Sequence, residues 1–329
     1  MLGGRCVSTT RAGATQSPGR HGHLMAIVLV LMTLAAVAPP VRGDDGVYAR
    51  GHFDLQVVPW GALMYDGINP GQAAPDPPLD RSGIPLRSWG GRYWYVADRI
   101  ARQGLYRLNG YVRSGDAAYT SVLQAFDSKL RAMAQPVADA WFYPWPFSYP
   151  GEALSAPWYN AMTQGLVLSF FSRMYEAYGD PADLDAAGHV FRSFEAIGSP
   201  VSSLPGPWVA TIQAGFLWLE HYPGGVTGHV LNAHLWATFG LYDYWRQLTR
   251  IGSVDVIAVR AVLEGAITTI RSNVWRYRRP GRTSLYALVH RTSYLHYHLL
   301  HISQLRLLAK ISGDPYFASM ADLFWADSH

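Results

Sequence analysis

The sequence predicts an all-α fold of stacked helical hairpins behind an irregular N-terminal arm. Two observations carry this. From Tyr93 onward apolar residues recur at helical spacing, as in Tyr95, Ile100, Leu105, Leu108 and Val112. One piece of punctuation also recurs: a helix, a Gly stop, an Asp cap, then another helix. It stands at Gly115-Asp116, Gly179-Asp180 and Gly313-Asp314, with a looser version at Gly252-Ser253. Glycine takes the left-handed conformation of a helix C-terminus without a Cβ penalty, and Asp accepts from the free amides that open the next helix. Pro181 and Pro315 follow two of these caps at the first helical position, where the missing N–H costs nothing. The four glycines are 64, 73 and 61 residues apart, about two helices each time. Hairpins stacked in this way either close into an α/α barrel (toroid) or stay open as a solenoid.

Taken in order, residues 1–43 read as a secretory signal. Arg5, Arg11 and Arg20 make a basic leader, 24–38 is an apolar run of fifteen residues, and small residues with prolines lead to Gly43. The run is short for a membrane span, although an uncleaved anchor has the same pattern. The expected location is therefore secreted or extracytoplasmic, with cleavage near Gly43-Asp44. This segment holds four Arg and no acid, so without it 27 basic residues become 23 against 23 acidic ones. The remainder is near neutral, which argues against nucleic acid as a partner. Cys6, the one cysteine, leaves with the segment, and with it disulfides and thiol chemistry. Charged residues are 15% of the chain and aromatics 13%. Most of the aromatics are needed as core, but exposed Trp and Tyr rings also suit the apolar faces of sugars.

Residues 44–90, with Pro59, Pro70, Pro75, Pro77, Pro78 and Pro85, predict an extended arm laid across the domain. The helical domain is expected over 91–329. Long Pro- and aromatic-rich loops interrupt it at 141–158, 198–208 and 276–286. Loops of that length in a compact helical domain are usually functional.

Four segments carry candidate chemistry. In "PWYNAMTQG" Asn160 and Gln164 are four apart on one helix face, and neutral amides suit a hydroxyl-rich ligand. In "GFLWLEHYP" three ionisable residues, Glu220, His221 and Tyr222, follow one another at an expected helix end broken by Pro223. Such neighbours shift each other's pKa. Next comes an arginine cluster, Arg271, Arg276, Arg278, Arg279 and Arg282, followed by Arg291. Guanidinium reads carboxylate and sulfate bidentately, so an anionic glycan is the natural partner. Last, "SYLHYHLLHISQLRLL" places His298 and His301 three apart beside Tyr297, with Leu299, Ile302 and Leu305 toward the core. This run holds no Asp or Glu to complete a metal site, so neither a metal nor another cofactor is expected. Each segment also has a plain structural reading: a polar helix start, a solvated terminus, a basic loop, or histidines hydrogen-bonded around a polar pocket.

Together, "PWYNAMTQGLVLSFFSRMYEAYGDP", "WLEHYP", "VLNAHLWATFGLYDYW", "SLYALVH" and "YHLLHISQLRLL" resemble the C-terminal catalytic domain of the D-glucuronyl C5-epimerase family, which matures heparan sulfate and heparosan-like polymers. The strings come in the family's order over about 155–329. The resemblance implies a closed α/α barrel and conversion of D-glucuronate to L-iduronate within a secreted or cell-surface polysaccharide. It implies proton transfer by Tyr222, Tyr286 and Tyr297 with His221 and Glu220 beside them. Substrate contacts would come from Asn160, Gln164, Asn232, Arg279, His290, Arg291, His298 and His301. A tyrosine ordinarily titrates near 10, so work as a base requires a nearby Arg to lower it.

Two positions depart from the family pattern. Glu-Glu-Tyr-Pro becomes Glu220-His221-Tyr222-Pro223, and Tyr-Asp-Leu-Arg-His becomes Tyr286-Ala287-Leu288-Val289-His290. A histidine stands at one acid, and the arginine that grips the carboxylate is absent, with Arg291 or the 276–282 cluster as substitutes. A lyase sharing the first proton abstraction and a non-catalytic glycan-binding protein are the alternatives. A hydrolase needs two facing carboxylates and finds few acids here. Peripheral membrane or cell-envelope association and a homodimer are both compatible with the chain.

Overall fold

Glycine stops and Asp caps divide the chain where the punctuation predicts. The structure, a computed structural model, describes residues 47–63, 78–198, 207–224 and 228–328. The expected signal segment, with Cys6 and the apolar run, lies outside these described residues, as do Pro70, Pro75, Pro77 and most of the 198–208 loop. In chain order the elements begin with β1 (Arg87–Trp89), β2 (Arg92–Trp94), α1 (Ala97–Ser114), α2 (Ala118–Met133), β3 (Gln135–Val137) and β4 (Ala140–Phe142). The middle of the chain forms α3 (Ala161–Tyr178), α4 (Pro181–Arg192), β5 (Ile197–Gly198), β6 (Ala210–Gln213) and β7 (Phe216–Leu219). It ends with α5 (Leu231–Ile251), α6 (Val256–Asn273), α7 (Leu295–Ser312) and α8 (Pro315–Ala326).

The helices pair as α1/α2, α3/α4, α5/α6 and α7/α8, and α1, α3, α5 and α7 pack in succession as an inner row. Gly115, Gly179, Gly252 and Gly313 end those four inner helices with φ of 67°, 74°, 66° and 69°. Asp180 and Asp314 accept from Ala182 N and Tyr316 N at the starts of α4 and α8. Asp116 accepts from Ala118 N at 2.8 Å, one residue ahead of the cap position of α2.

The described chain is mostly helical, not all-α, because three small sheets interrupt it. β1 and β2 form an antiparallel hairpin turning at Gly90-Gly91, both at positive φ. Tyr93, expected in the first helix, therefore sits in a strand. After the β3–β4 hairpin, β6 and β7 form a third, with β5 alongside in parallel. Its two-residue turn, Ala214-Gly215, has φ of 51° and 78°, the geometry that suits tight hairpins. Glu220, His221 and Tyr222 consequently follow a strand, not the helix end expected for them.

The inner row is held tightest between α3 and α5, each buried on every face through most of its length. Their backbones touch at Gly165 and Gly240, where a Cβ on Gly240 would lie 2.2 Å from Gly165 O. Beyond that contact Arg173 and Asp243 form a buried ion pair at 3.0 Å. The arm crosses the far half of the same row. Trp60 Nε1 donates to Asn109 on α1, Val58 N to Tyr242 OH on α5, and Gln56 N to Ile311 O on α7. The opposite, N-terminal half of the row is thereby left to form a pocket. Among the described residues no helix is long and apolar enough to cross a membrane.

Candidate functional site

All four inner helices open onto one cavity of about 270 Å³. Each contributes residues of its first two turns: Asp98, Arg99 and Arg102 from α1, Met162 from α3, Asn232 and Trp236 from α5, and Tyr297 and Leu300 from α7. Helix N-termini present unpaired N–H groups and a partial positive charge. At α1, α5 and α7 the cap positions are Val96, Val230 and Tyr294, none of which offers a capping side chain. Arg87 of β1 adds a further cation. The cavity is small against the roughly 300–1,000 Å³ of typical ligand clefts, so it admits about one ring of a polymer.

The 141–158 loop forms one wall. Trp145, Phe147, Leu154 and Trp158 pack with Val96 into a separate small core that also takes Trp89, Trp94, Tyr149 and Tyr222. Trp145 Nε1 donates to Thr163 Oγ1 of α3 and Trp158 Nε1 to Phe147 O. Trp145, Tyr149 and Trp158 face the cavity. Tyr149 stacks on Tyr222 with ring centres 5.8 Å apart and planes within 10°.

Five of the residues singled out in the sequence meet in this cavity: His221, Tyr222, Asn232, Tyr286 and Tyr297. Tyr222 OH and Tyr286 OH lie 3.4 Å apart, and the Tyr286 and Tyr297 rings are 4.6 Å apart. Burial holds all three phenols above the ordinary tyrosine range. For Tyr297 the Arg102 and Arg87 guanidiniums pull the other way, as a base would require, but burial outweighs them. His221 is buried, and its Nδ1 has no partner. Burial first, then Arg87 and Arg102, push its pKa down to about 3.

The other candidates surround this group without lining it. Glu220 turns away to His229, which donates to it through its backbone N–H at 3.2 Å and pairs through Nδ1 at 2.5 Å. Asn160 caps α3 by accepting from Thr163 N at 2.8 Å. Gln164 donates to Trp141 O and Ser193 Oγ and accepts from Tyr143 N, anchoring the start of the aromatic loop. His298 Nδ1 accepts from Ser284 N, and His301 Nδ1 pairs with Ser284 Oγ, both at 2.9 Å. These two histidines fix the backbone two residues before Tyr286. His290 pairs with Glu152 of the aromatic loop at 2.9 Å. Arg279 donates to Ser293 Oγ, and Arg291 is exposed at a positive φ of 50°.

The C-terminal arginines, expected to read an anion, are engaged elsewhere: Arg278 with Asp327, Arg271 with Asp314 and Arg276 with Asn273. The cavity takes its cations from Arg87, Arg99 and Arg102, which the sequence reading missed. The available signal was the spacing of Arg99 and Arg102 on the first turns of α1, three apart and so on one face.

The profile of the family described as D-glucuronyl C5-epimerase C-terminus matches residues 138–326. The chain belongs to that family. Among relatives, the D-glucuronyl C5-epimerase of Caenorhabditis elegans is 26% identical over 178 residues, half of this chain and 28% of the worm protein. This D-glucuronyl C5-epimerase family member thus spans just over a quarter of that relative's length. Of solved structures, a sugar epimerase from a ruminal bacterium superposes with a TM-score of 0.51 at 13% identity, over 76% of this chain and 65% of the other. A family 105 glycoside hydrolase of C. acetobutylicum ATCC 824 gives 0.50 at 11% identity, over 70% and 62%. At such identities the likeness is one of fold. The match begins at residue 138, so Arg87, Asp98, Arg99 and Arg102 all precede the segment that carries the family signal.

Proposed function

We propose that this family member is a C5-epimerase of polymeric uronate, converting D-glucuronate to L-iduronate units outside the cytoplasm on an α/α-toroid scaffold. One observation carries the reading: three tyrosines and an unpartnered buried imidazole converge in a cation-rich cavity sized for one sugar ring. C5-epimerisation removes the proton alpha to the uronate carboxylate and returns one to the opposite ring face, so two groups must act from two sides. Burial keeps the phenols protonated, which suits Tyr222, Tyr286 or Tyr297 as the donor. The neutral His221 imidazole suits the acceptor. The C5 proton passes to His221 and the electron pair moves into the carboxylate. A phenol O–H then protonates C5 from the other face, leaving tyrosinate and imidazolium to re-equilibrate. A base with a pKa near 3 is weak, but a carboxylate lying against Arg87 and Arg102 offsets two of the three causes of that depression. Guanidinium also stabilises the second negative charge that the carboxylate develops in the transition state.

The test is incubation with a glucuronate polymer such as heparosan in heavy water. Deuterium at C5 without chain cleavage is the expected result. A 4,5-unsaturated product instead identifies a lyase, and no exchange over a panel of uronate polymers overturns both.

A further inference from the structure

Val289, where the sequence resemblance implies a carboxylate-gripping arginine, faces solvent, 43% exposed. None of the arginines around it in sequence lines the cavity. The compensating charge comes from another part of the chain. Arg87 lies with its guanidinium 4.7 Å over the Trp145 ring, its Nε buried and without a partner. Arg102 lies 5.5 Å over Trp236. Stacking on a wide ring fixes a guanidinium plane while leaving its N–H edge free for a carboxylate. Arg99, the third, has Asp98 beside it, the one carboxylate on the cavity wall. Among the described residues none of the three forms a hydrogen bond or an ion pair closer than 4 Å. Three cations against one anion leave an excess of positive charge, added to the uncapped N–H groups of α1, α5 and α7. Asn232 and His221, both more than nine-tenths buried, line the same space, and each carries a buried atom, Oδ1 and Nδ1, without a partner.

We propose that Arg87, Arg99 and Arg102 form the anion site of this protein, taking the carboxylate of a single hexuronate ring. The clamp that the C-terminal motif lacks is thus supplied by the β1–β2 hairpin and the first helix. This proposal rests on reading the cavity as a uronate site, and it makes specificity for the acid a property of residues outside the family-matching segment.

Binding separates the clamp from catalysis. The full chain is titrated calorimetrically with a size-defined glucuronate oligosaccharide and with its carboxyl-reduced counterpart. The expected result is at least tenfold tighter binding of the acid form. Arg102→Gln and Arg87→Gln should each remove most of that preference, with Arg102→Lys recovering part of it, while the surface variant Arg306→Gln should retain it. Thermal melts of each variant show whether the fold is kept, and the carboxyl-reduced ligand checks that the cavity is intact. Equal affinity of the wild type for both ligands overturns the proposal. So does a full preference in Arg102→Gln, or its loss in Arg279→Gln alone. If acid preference depends on these arginines but no uronate polymer exchanges its C5 proton, the clamp stands and the epimerase reading falls.

Discussion

His221 shows how one side chain's surroundings set its chemistry. It has no hydrogen-bond partner at Nδ1 and no carboxylate is among the groups that shift it, so burial and two arginines keep it neutral. Removing it should therefore cost little stability and much activity. His221→Gln is expected to lower C5 exchange by roughly 10²–10⁴-fold, the usual worth of a general base, with an unchanged melting temperature. Wild-type exchange from the variant would remove His221 from the mechanism. The tyrosines give a matching pH prediction. Because burial holds Tyr222, Tyr286 and Tyr297 above the ordinary phenol range, the donor stays protonated as pH rises. Exchange measured as kcat/KM should show no alkaline loss below about pH 10; a fall near pH 8 would mean that a different group donates. His221, Tyr222 and Tyr297 stood in short strings of ionisable side chains, whereas Tyr286 was indicated by the family resemblance of "SLYALVH" alone. Arg87 was not legible, being an isolated arginine, and Arg102 was marked only by its spacing from Arg99; the meaning of each depends on which helices its own element packs beside.

At the scale of elements, the α3–α5 seam decides whether the cavity exists, because it sets the separation of Met162 from Asn232. Gly165 and Gly240 allow backbone contact there, and neither neighbour can give way. Gly240→Ala should therefore cost about 3 kcal/mol or more, at or beyond the upper end of ordinary overpacking. The Arg173–Asp243 pair is buried on both sides. Asp243→Ala leaves a guanidinium in the core without its counter-charge and is expected to cost about 3–5 kcal/mol in chemical denaturation. The double change Arg173→Met with Asp243→Leu should cost less than that single one. If it costs more, the pair contributes net stability and not only the avoidance of a lone charge. The helical hairpins themselves were legible in the Gly-Asp punctuation, since a left-handed Gly and an Asp cap are local requirements of a chain that stops one helix and starts another. The β6–β7 hairpin was not. Phe216 to Leu219 is a short apolar run that periodicity cannot assign, and the deciding turn at Ala214-Gly215 has an unremarkable sequence.

Across the whole molecule, polar groups buried to hold the cavity make the fold sensitive to acid. His221, His234 and His301 are buried, and burial is the first cause that pushes their pKa values down to about 3, 4 and 3. His234 is fixed as a neutral ring, accepting from Leu219 N at Nδ1 and donating to Ala266 O from Nε2. In the unfolded chain each histidine returns to about 6.5, so below that pH the unfolded state binds protons that the folded state refuses. The stabilisation is complete above pH 6.5 and is lost as pH falls toward the folded values. Asp183 works in the opposite sense: burial, then Asp127, hold its pKa up to about 7 in the fold, so it binds a proton there that the unfolded chain releases. Below about pH 5.5, where the unfolded chain's three histidines are all protonated, the difference is a net uptake on unfolding of about two protons, worth roughly 2–3 kcal/mol per pH unit. Denaturant titrations at pH 5.5, 5.0 and 4.5 should show that slope. Replacing His234 by Gln, which can keep one of its two hydrogen bonds, should flatten it by about one proton while lowering stability at pH 7. A profile that stays level down to pH 5 would mean that these histidines are protonated or solvated in the folded protein, and that the interior around Ser284 and Leu219 is open to water.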